Sequence, residues 1–130
     1  MNGRIATLMV HTSPLDQPGI GDAGGMNIYV TESAERMAAM GVQVDIFTRR
    51  TNKDVADIVE ISPGVRVRQL NVGPVDGVTK ERLPELIGEL SKEFTRIVSE
   101  ERQTFHSQVP KRKHQRVRES TLVALLLLPM

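Results

Sequence analysis

Two adjacent glycines, Gly24 and Gly25, stand immediately before a stretch with helical periodicity. The first turn of a helix exposes unpaired N–H groups and carries a partial positive charge. Because glycine has no Cβ, an anion can approach that backbone closely. The pattern therefore predicts a phosphate or sugar-phosphate site, and a surface loop of tight turns is the alternative interpretation.

The elements around the glycine pair are arranged as such a site requires. Residues 5–10 form a short apolar run that is typical of a central parallel strand covered on both faces. A loop rich in prolines and glycines follows, and an apolar stripe from Met26 to Met37 then predicts a helix that ends at Gly41. Ligands of open α/β sheets bind at the carboxyl ends of strands, where this loop begins.

The rest of the chain predicts an α/β fold. Apolar alternation favours strands at residues 42–47, with one better-buried face, and at 65–70, and a short strand candidate lies at 58–61. A second apolar stripe predicts a helix that starts near residues 80–84 and ends near residue 101. The order strand, helix, strand, short strand, strand, helix predicts a three-layer, Rossmann-like, mostly parallel sheet.

Four arginines of this body are interpreted as solvated. Arg49 and Arg50 follow the second strand and are expected to form an exposed basic corner. Arg66 and Arg68 occupy the polar positions of an alternating strand, so they are expected to face solvent.

Composition excludes several classes of function. The chain has no cysteine, no tryptophan and one tyrosine, so thiol catalysis and an aromatic platform for single-stranded nucleic acid are excluded. No signal-peptide core is recognised at the start, and the apolar run near the end is too short for a membrane span, so a cytoplasmic protein without a membrane or nucleic-acid partner is expected. The last thirty residues hold 6 Lys/Arg against 2 Asp/Glu, which makes this tail basic.

Three kinds of catalytic or cofactor site are poorly supported. Residues 19–24 match G-x-G-x-x-G, but they do not follow the strand directly, and the second strand is not followed by an acidic residue, which disfavours nicotinamide or flavin binding. The three histidines lack metal-ligand spacing, and no G-x-S-x-G motif is present. We therefore assign no cofactor, no metal and no catalytic residue.

Two strings of residues resemble a known family. His-Thr-Ser-Pro-Leu at residues 11–15 and Gly-Gly-Met-Asn at residues 24–27 are similar to the N-terminus of actinobacterial D-inositol-3-phosphate glycosyltransferases. A further match lies at Gly73-Pro74, Gly77 and Lys80-Glu81. The resemblance implies the acceptor-side half-domain of a retaining, family-4 GT-B enzyme. Such enzymes transfer N-acetylglucosamine from UDP-N-acetylglucosamine to inositol 3-phosphate, the first step of mycothiol synthesis, and bind the nucleotide mainly through their C-terminal domain.

The resemblance also implies roles for particular residues. Those matching the acceptor site for inositol phosphate are His11, Asp22, Ala23, Gly24, Gly25, Met26, Asn27 and Lys80. Those matching the donor site are Gln17, Pro18 and Gly25. Alternatives stay open for some of them: Asn27 could instead cap the helix, Asp22 could cap the loop, and His11 could be a hydrogen-bonded core residue.

The resemblance covers about residues 4–100 and only part of a family member. We expect residues 1–101 to be a partial glycosyltransferase domain and residues 102–130 to be a basic, then apolar, non-homologous tail. A fragment of this kind is expected to be inactive alone. A stand-alone sugar-phosphate-binding module and a family-4 enzyme with another acceptor are the alternatives, and a homodimer is left open.

Overall fold

The computed structural model of the chain describes residues 3–10, 13–15, 25–108 and 121–126. Its strands are β1 Gly3–Met9, β2 Val42–Arg49, β3 Ile58–Ser62, β4 Val65–Leu70 and β5 Thr121–Leu126. They form one sheet in the order β3-β4-β2-β1-β5. β3 is antiparallel to β4, and the other neighbouring pairs are parallel. The predicted α/β class with a mostly parallel sheet is confirmed.

The helices are α1 Gly25–Ala39, a 3-10 helix Lys80–Leu86 and α2 Ile87–Gln108. Gly41 follows α1 with a φ of 90° and donates its N–H to the carbonyl of Ala38 at 3.0 Å, so it is the predicted C-terminal cap. No helix within the described ranges is long and apolar enough to cross a membrane.

The sheet is covered on both faces, which gives three layers. On the face of α2 the core consists of Ala6, Leu8, Phe47, Leu70, Val72, Leu90 and Phe94. On the face of α1 it consists of Met9, Val30, Ala34, Val44, Ile46 and Val65. β2 therefore contributes to both cores, and the prediction that only one of its faces is well buried is wrong.

The prediction that Arg66 and Arg68 face solvent is also wrong. Both converge on Asp45 of β2, whose side chain is 3% exposed. Arg66 donates from Nε and Nη2 to the two carboxylate oxygens of Asp45 at 2.8 and 2.7 Å. Arg68 reaches Asp45 at 3.5 Å and also pairs with Glu101 of α2. Alternation along β4 marks these positions as polar, but it does not reveal the carboxylates of β2 and α2 with which these arginines pair.

The C-terminal part differs from the sequence prediction in two ways. α2 continues to Gln108, seven residues beyond its predicted end, and includes residues 103–108, whose pattern is that of a poor strand. β5 then pairs in parallel with β1, from Arg4 opposite Thr121 to Met9 opposite Leu126, so it supplies the strand that the sequence pattern did not predict. The domain boundary at residue 101 and a foreign origin of residues 102–130 stay predictions.

Candidate functional site

The carboxyl edge of the sheet is defined by the ends of the parallel strands. In the register of β1, β2 and β4, Met9 lies opposite Thr48 and Arg49 lies opposite Leu70. Three strands therefore end at nearly the same level. The segments that leave this edge lead to α1 and to the 3-10 helix, whose first residues the sequence marks as site candidates.

Asn27 fixes the start of α1 against the segment that follows β1. It is the third residue of α1 and is 2% exposed. Its Nδ2 donates to the carbonyl oxygen of Ser13 at 2.7 Å, and the Ser13 hydroxyl accepts the N–H of Leu15 at 3.1 Å. Asn27 lies within the first turn of the helix, so the alternative that it is the N-cap is wrong. The bond holds the N-terminus of α1 at the carboxyl edge.

Arg49 ends β2 at the same edge, and the prediction that it belongs to an exposed basic corner is wrong. The residue is 4% exposed. Its Nη1 donates to the carbonyl oxygens of Pro74 at 2.7 Å and of Val72 and Arg50 at 3.3 Å. Burial lowers the pKa of the Arg49 guanidinium from its ordinary value, because desolvation disfavours the charged form.

Arg50 is also held in place, by Asn71 at the start of the loop after β4 and by the segment that follows β2. Its Nε donates to Oδ1 of Asn71 at 2.6 Å, and its Nη1 donates to the carbonyl oxygen of Val55 at 2.6 Å. It further forms an ion pair with Asp57. Both arginines thus tie the end of β2 to the loop after β4, and Arg50 also ties it to residues 52–57.

The structure places part of the predicted site. Gly25 and Met26 are the first two residues of α1, and Lys80 is the first residue of the 3-10 helix. The side chains of Met26 and Lys80 lie outside the described part of the chain. So do the predicted site residues His11, Gln17, Pro18, Asp22, Ala23 and Gly24. Asn27 is therefore the predicted site residue whose side-chain contacts the structure describes.

Sequence reasoning missed two contributors to this edge, Ser13 and Arg49. Ser13 lies within the family-like string, but its role as a backbone acceptor for Asn27 has no sequence signal. Arg49 could have been recognised as a candidate, because it is a charged residue at the carboxyl end of a strand, where ligands of open α/β sheets bind. Within the described ranges, no cluster of three His, Asp or Glu residues could hold a metal ion.

A mostly parallel sheet covered by helices on both faces, with α1 starting at its carboxyl edge, defines a Rossmann-like class of α/β domain. Residues 24–124 match the family of glycosyl transferase 4-like domains. The match extends over more than half of the chain, and the chain belongs to this family.

Particular relatives agree with this family. The chain is 59% identical over 81 residues to the D-inositol 3-phosphate glycosyltransferase of Geodermatophilus obscurus, a match that covers 62% of this chain and 18% of the relative. It is 55% identical over 89 residues to the enzyme of the same name from Streptosporangium roseum, with 68% and 20% covered. The resemblance stated from the sequence is thereby confirmed, and the chain spans about a fifth of the length of these curated relatives.

A solved structure gives the same fold. Sucrose-phosphate synthase from Thermosynechococcus elongatus matches with a TM-score of 0.70 and 36% sequence identity, over 74% of this chain and 24% of that chain. The sheet and helices described above are therefore those of a GT-B glycosyltransferase half-domain, which is incomplete here.

Proposed function

We propose that this chain is the acceptor-side part of a glycosyltransferase that transfers N-acetylglucosamine from UDP-N-acetylglucosamine to 1D-myo-inositol 3-phosphate. The observation that carries the proposal is the start of α1 at Gly25, held at the carboxyl edge by the bond from Asn27 to Ser13. Unpaired N–H groups at a glycine-led helix N-terminus suit a phosphorylated acceptor. The identity to D-inositol 3-phosphate glycosyltransferases supports this choice of acceptor.

The proposed roles divide between the two substrates. His11, the run of residues 22–27 and Lys80 bind the inositol phosphate, with the lysine as a point charge for its phosphate. Gln17, Pro18 and Gly25 contact the UDP-sugar. Gly25 belongs to both groups, so the two ligands would meet at the start of α1.

The chemistry of this transfer requires the two substrates to be aligned. An acceptor hydroxyl forms a bond to the anomeric carbon of the sugar, and the bond from that carbon to the phosphate oxygen of UDP breaks. UDP leaves with the electron pair, and the proton of the hydroxyl passes to the departing phosphate oxygen. The contribution of this half-domain is to bind and orient the acceptor, which is a matter of proximity. No catalytic residue is assigned to it.

Calorimetric titration of the chain tests the proposal. We expect inositol 3-phosphate to bind, unphosphorylated inositol to bind at least about tenfold more weakly because a charged contact is lost, and NAD not to bind. Weak binding of UDP-N-acetylglucosamine is expected, because only part of its site lies in this half-domain. NAD binding without inositol phosphate binding would overturn the proposal.

The length of the chain relative to its relatives favours one second candidate, a stand-alone module that binds sugar phosphates. Such a module would bind several phosphorylated sugars equally well and would not respond to the sugar nucleotide. Including glucose 6-phosphate in the same titration separates the two proposals.

A further inference from the structure

Arg49 is a buried cation whose hydrogen bonds go to backbone carbonyls. Within the described ranges, no carboxylate lies within ion-pair distance of its guanidinium, and its Nε is buried without a hydrogen-bond partner. The other arginines in or next to this sheet each pair with a carboxylate: Arg4 with Glu101, Arg50 with Asp57, and Arg66 and Arg68 with Asp45. Burying a charge without a counter-charge costs free energy. The hydrogen bonds of Arg49 to backbone carbonyls must therefore contribute something that offsets this cost.

Those contacts are concentrated on the loop that joins β4 to the 3-10 helix. The shortest, at 2.7 Å, goes to the carbonyl of Pro74, and another goes to the carbonyl of Val72. Gly73 lies between them with a φ of 69°, a conformation in which a side chain is strained. All of these bonds are donated by Nη1, so one nitrogen of the guanidinium bridges the carbonyls on the two sides of the turn.

The same loop leads directly to Lys80. It runs over residues 71–79, has no helix or strand of its own, and ends at Thr79, the residue before the 3-10 helix. Gly73 also packs closely on Leu86 of that helix, since an added Cβ would lie 2.9 Å from Leu86 Cδ1. The position of the turn at residues 72–74 therefore sets where the 3-10 helix begins.

We propose that Arg49 is a positioning residue that fixes the loop of residues 71–79 and so places Lys80 at the carboxyl edge for the phosphorylated acceptor. This inference rests on the proposed function, because it takes Lys80 as the phosphate ligand. Arg49 acts through the loop and touches no substrate. Arg50 bonds to Val55, to Asp57 and to the side chain of Asn71, whereas Arg49 bonds to the backbone carbonyls of the turn at residues 72–74.

Hydrogen–deuterium exchange of the whole chain tests the first step. We expect Arg49→Met to raise amide exchange in the peptide covering residues 71–79, because the loop loses the donors that hold its carbonyls. Arg96→Met is the matched control, because the side-chain bonds of Arg96 go to Glu93 and Glu100 within α2, and it should leave this peptide unchanged. Unchanged exchange at 71–79 in a folded Arg49→Met variant would overturn the proposal.

A double-mutant cycle tests the link to Lys80. We expect Arg49→Met to weaken inositol 3-phosphate binding by about tenfold, the effect of a charged hydrogen bond, and Arg49→Lys to recover part of that loss. In a Lys80→Ala background the same change should have little further effect, because the residue it positions is gone. Binding of unphosphorylated inositol should be unchanged.

The outcomes of the cycle are distinct. Equal losses from Arg49→Met with and without Lys80 would overturn the positioning role. If Arg49→Met does not fold, Arg49→Gln decides, because its shorter side chain does not reach these carbonyls: affinity equal to the parent overturns the role, and a loss that disappears in the Lys80→Ala background supports it. If the parent chain binds no inositol 3-phosphate, the proposed function itself fails and the positioning role fails with it.

Discussion

Asp45 is a buried carboxylate on which two arginines converge. Its side chain is 3% exposed, and it accepts hydrogen bonds from Arg66 at 2.7 and 2.8 Å and from Arg68 at 3.5 Å. The hydrogen bonds that Arg66 donates to Asp45 raise the pKa of Arg66, so its guanidinium is held in the charged form. Removing one charge leaves the others buried and only partly compensated.

We predict that Asp45→Asn lowers the free energy of unfolding by about 3 kcal/mol, because breaking a buried ion pair leaves uncompensated charge. The matched control is Glu93→Gln, which removes one carboxylate from an exposed pair with Arg96 on α2 and should have a much smaller effect. Urea denaturation followed by circular dichroism measures both. Equal shifts of the two midpoints would show that burial of Asp45 has no special cost.

Lys80 carries the second prediction at this scale. Lys80→Ala should weaken binding of inositol 3-phosphate by about 1.5–3 kcal/mol, the range for a hydrogen bond to a charged group. Lys92→Ala, on the exposed surface of α2, is the control and should leave binding unchanged. Calorimetry measures both affinities. A Lys80 variant that binds as tightly as the parent would remove this lysine from the site.

The residues that could be predicted from the sequence are those whose role is local. Gly25 at the start of a helix and Gly41 after it follow from backbone conformation, and both are recognisable in the sequence. The burial of Arg49 and Asp45 could not be predicted, because it depends on partners 20 or more positions away, at Pro74 and Arg66. Periodicity places a polar residue on a face but does not reveal a buried counter-charge or carbonyl there.

The loop from β4 to the 3-10 helix is the element whose conformation matters most to the proposed site. Gly73 and Gly77 both have positive φ, 69° and 82°. An added Cβ at Gly73 would meet Leu86, whereas at Gly77 it would meet nothing within 4 Å. A side chain at either position would strain the backbone, but only a side chain at Gly73 would also meet a neighbouring side chain.

We predict that Gly77→Ala lowers stability by about 1 kcal/mol, the cost of a left-handed residue with a Cβ. Gly73→Ala should cost about 1 kcal/mol more, the lower end of the range for overpacking, because the Leu86 side chain can shift. Only Gly73→Ala should also weaken inositol 3-phosphate binding. Urea denaturation and calorimetry test the pair, and equal stabilities would mean that Leu86 moves without cost.

At the scale of elements, the sequence predicts the first part of the fold better than the last. β1, α1, β2 and β4 each have a period or a cap that can be read locally. β5 has only a short apolar run after a basic stretch, and it becomes a strand through pairing with β1, more than 100 residues earlier. Such pairing is a tertiary effect, for which a local pattern holds no information.

The whole molecule is a five-stranded sheet with β3 and β5 at its edges. β1 has neighbours on both sides, so it is an interior strand. Edge strands present unpaired N–H and C=O groups that can pair with another chain. On β3, Ile58 is also exposed. We therefore expect the isolated chain to associate as its concentration rises.

The last prediction concerns activity. The chain spans about a fifth of the length of its glycosyltransferase relatives, so most of a whole enzyme's substrate contacts would come from elsewhere. Alignment of two bound substrates can supply about 7–11 kcal/mol of the barrier to transfer. A chain with the proposed acceptor site but only part of the proposed donor site cannot provide this alignment. We therefore predict no measurable transfer by the isolated chain. The test incubates it with UDP-N-acetylglucosamine and inositol 3-phosphate, with a boiled sample as control, and measures UDP release. Sustained turnover by a monodisperse monomer would contradict the prediction, because the described half of the cleft would then be sufficient for catalysis.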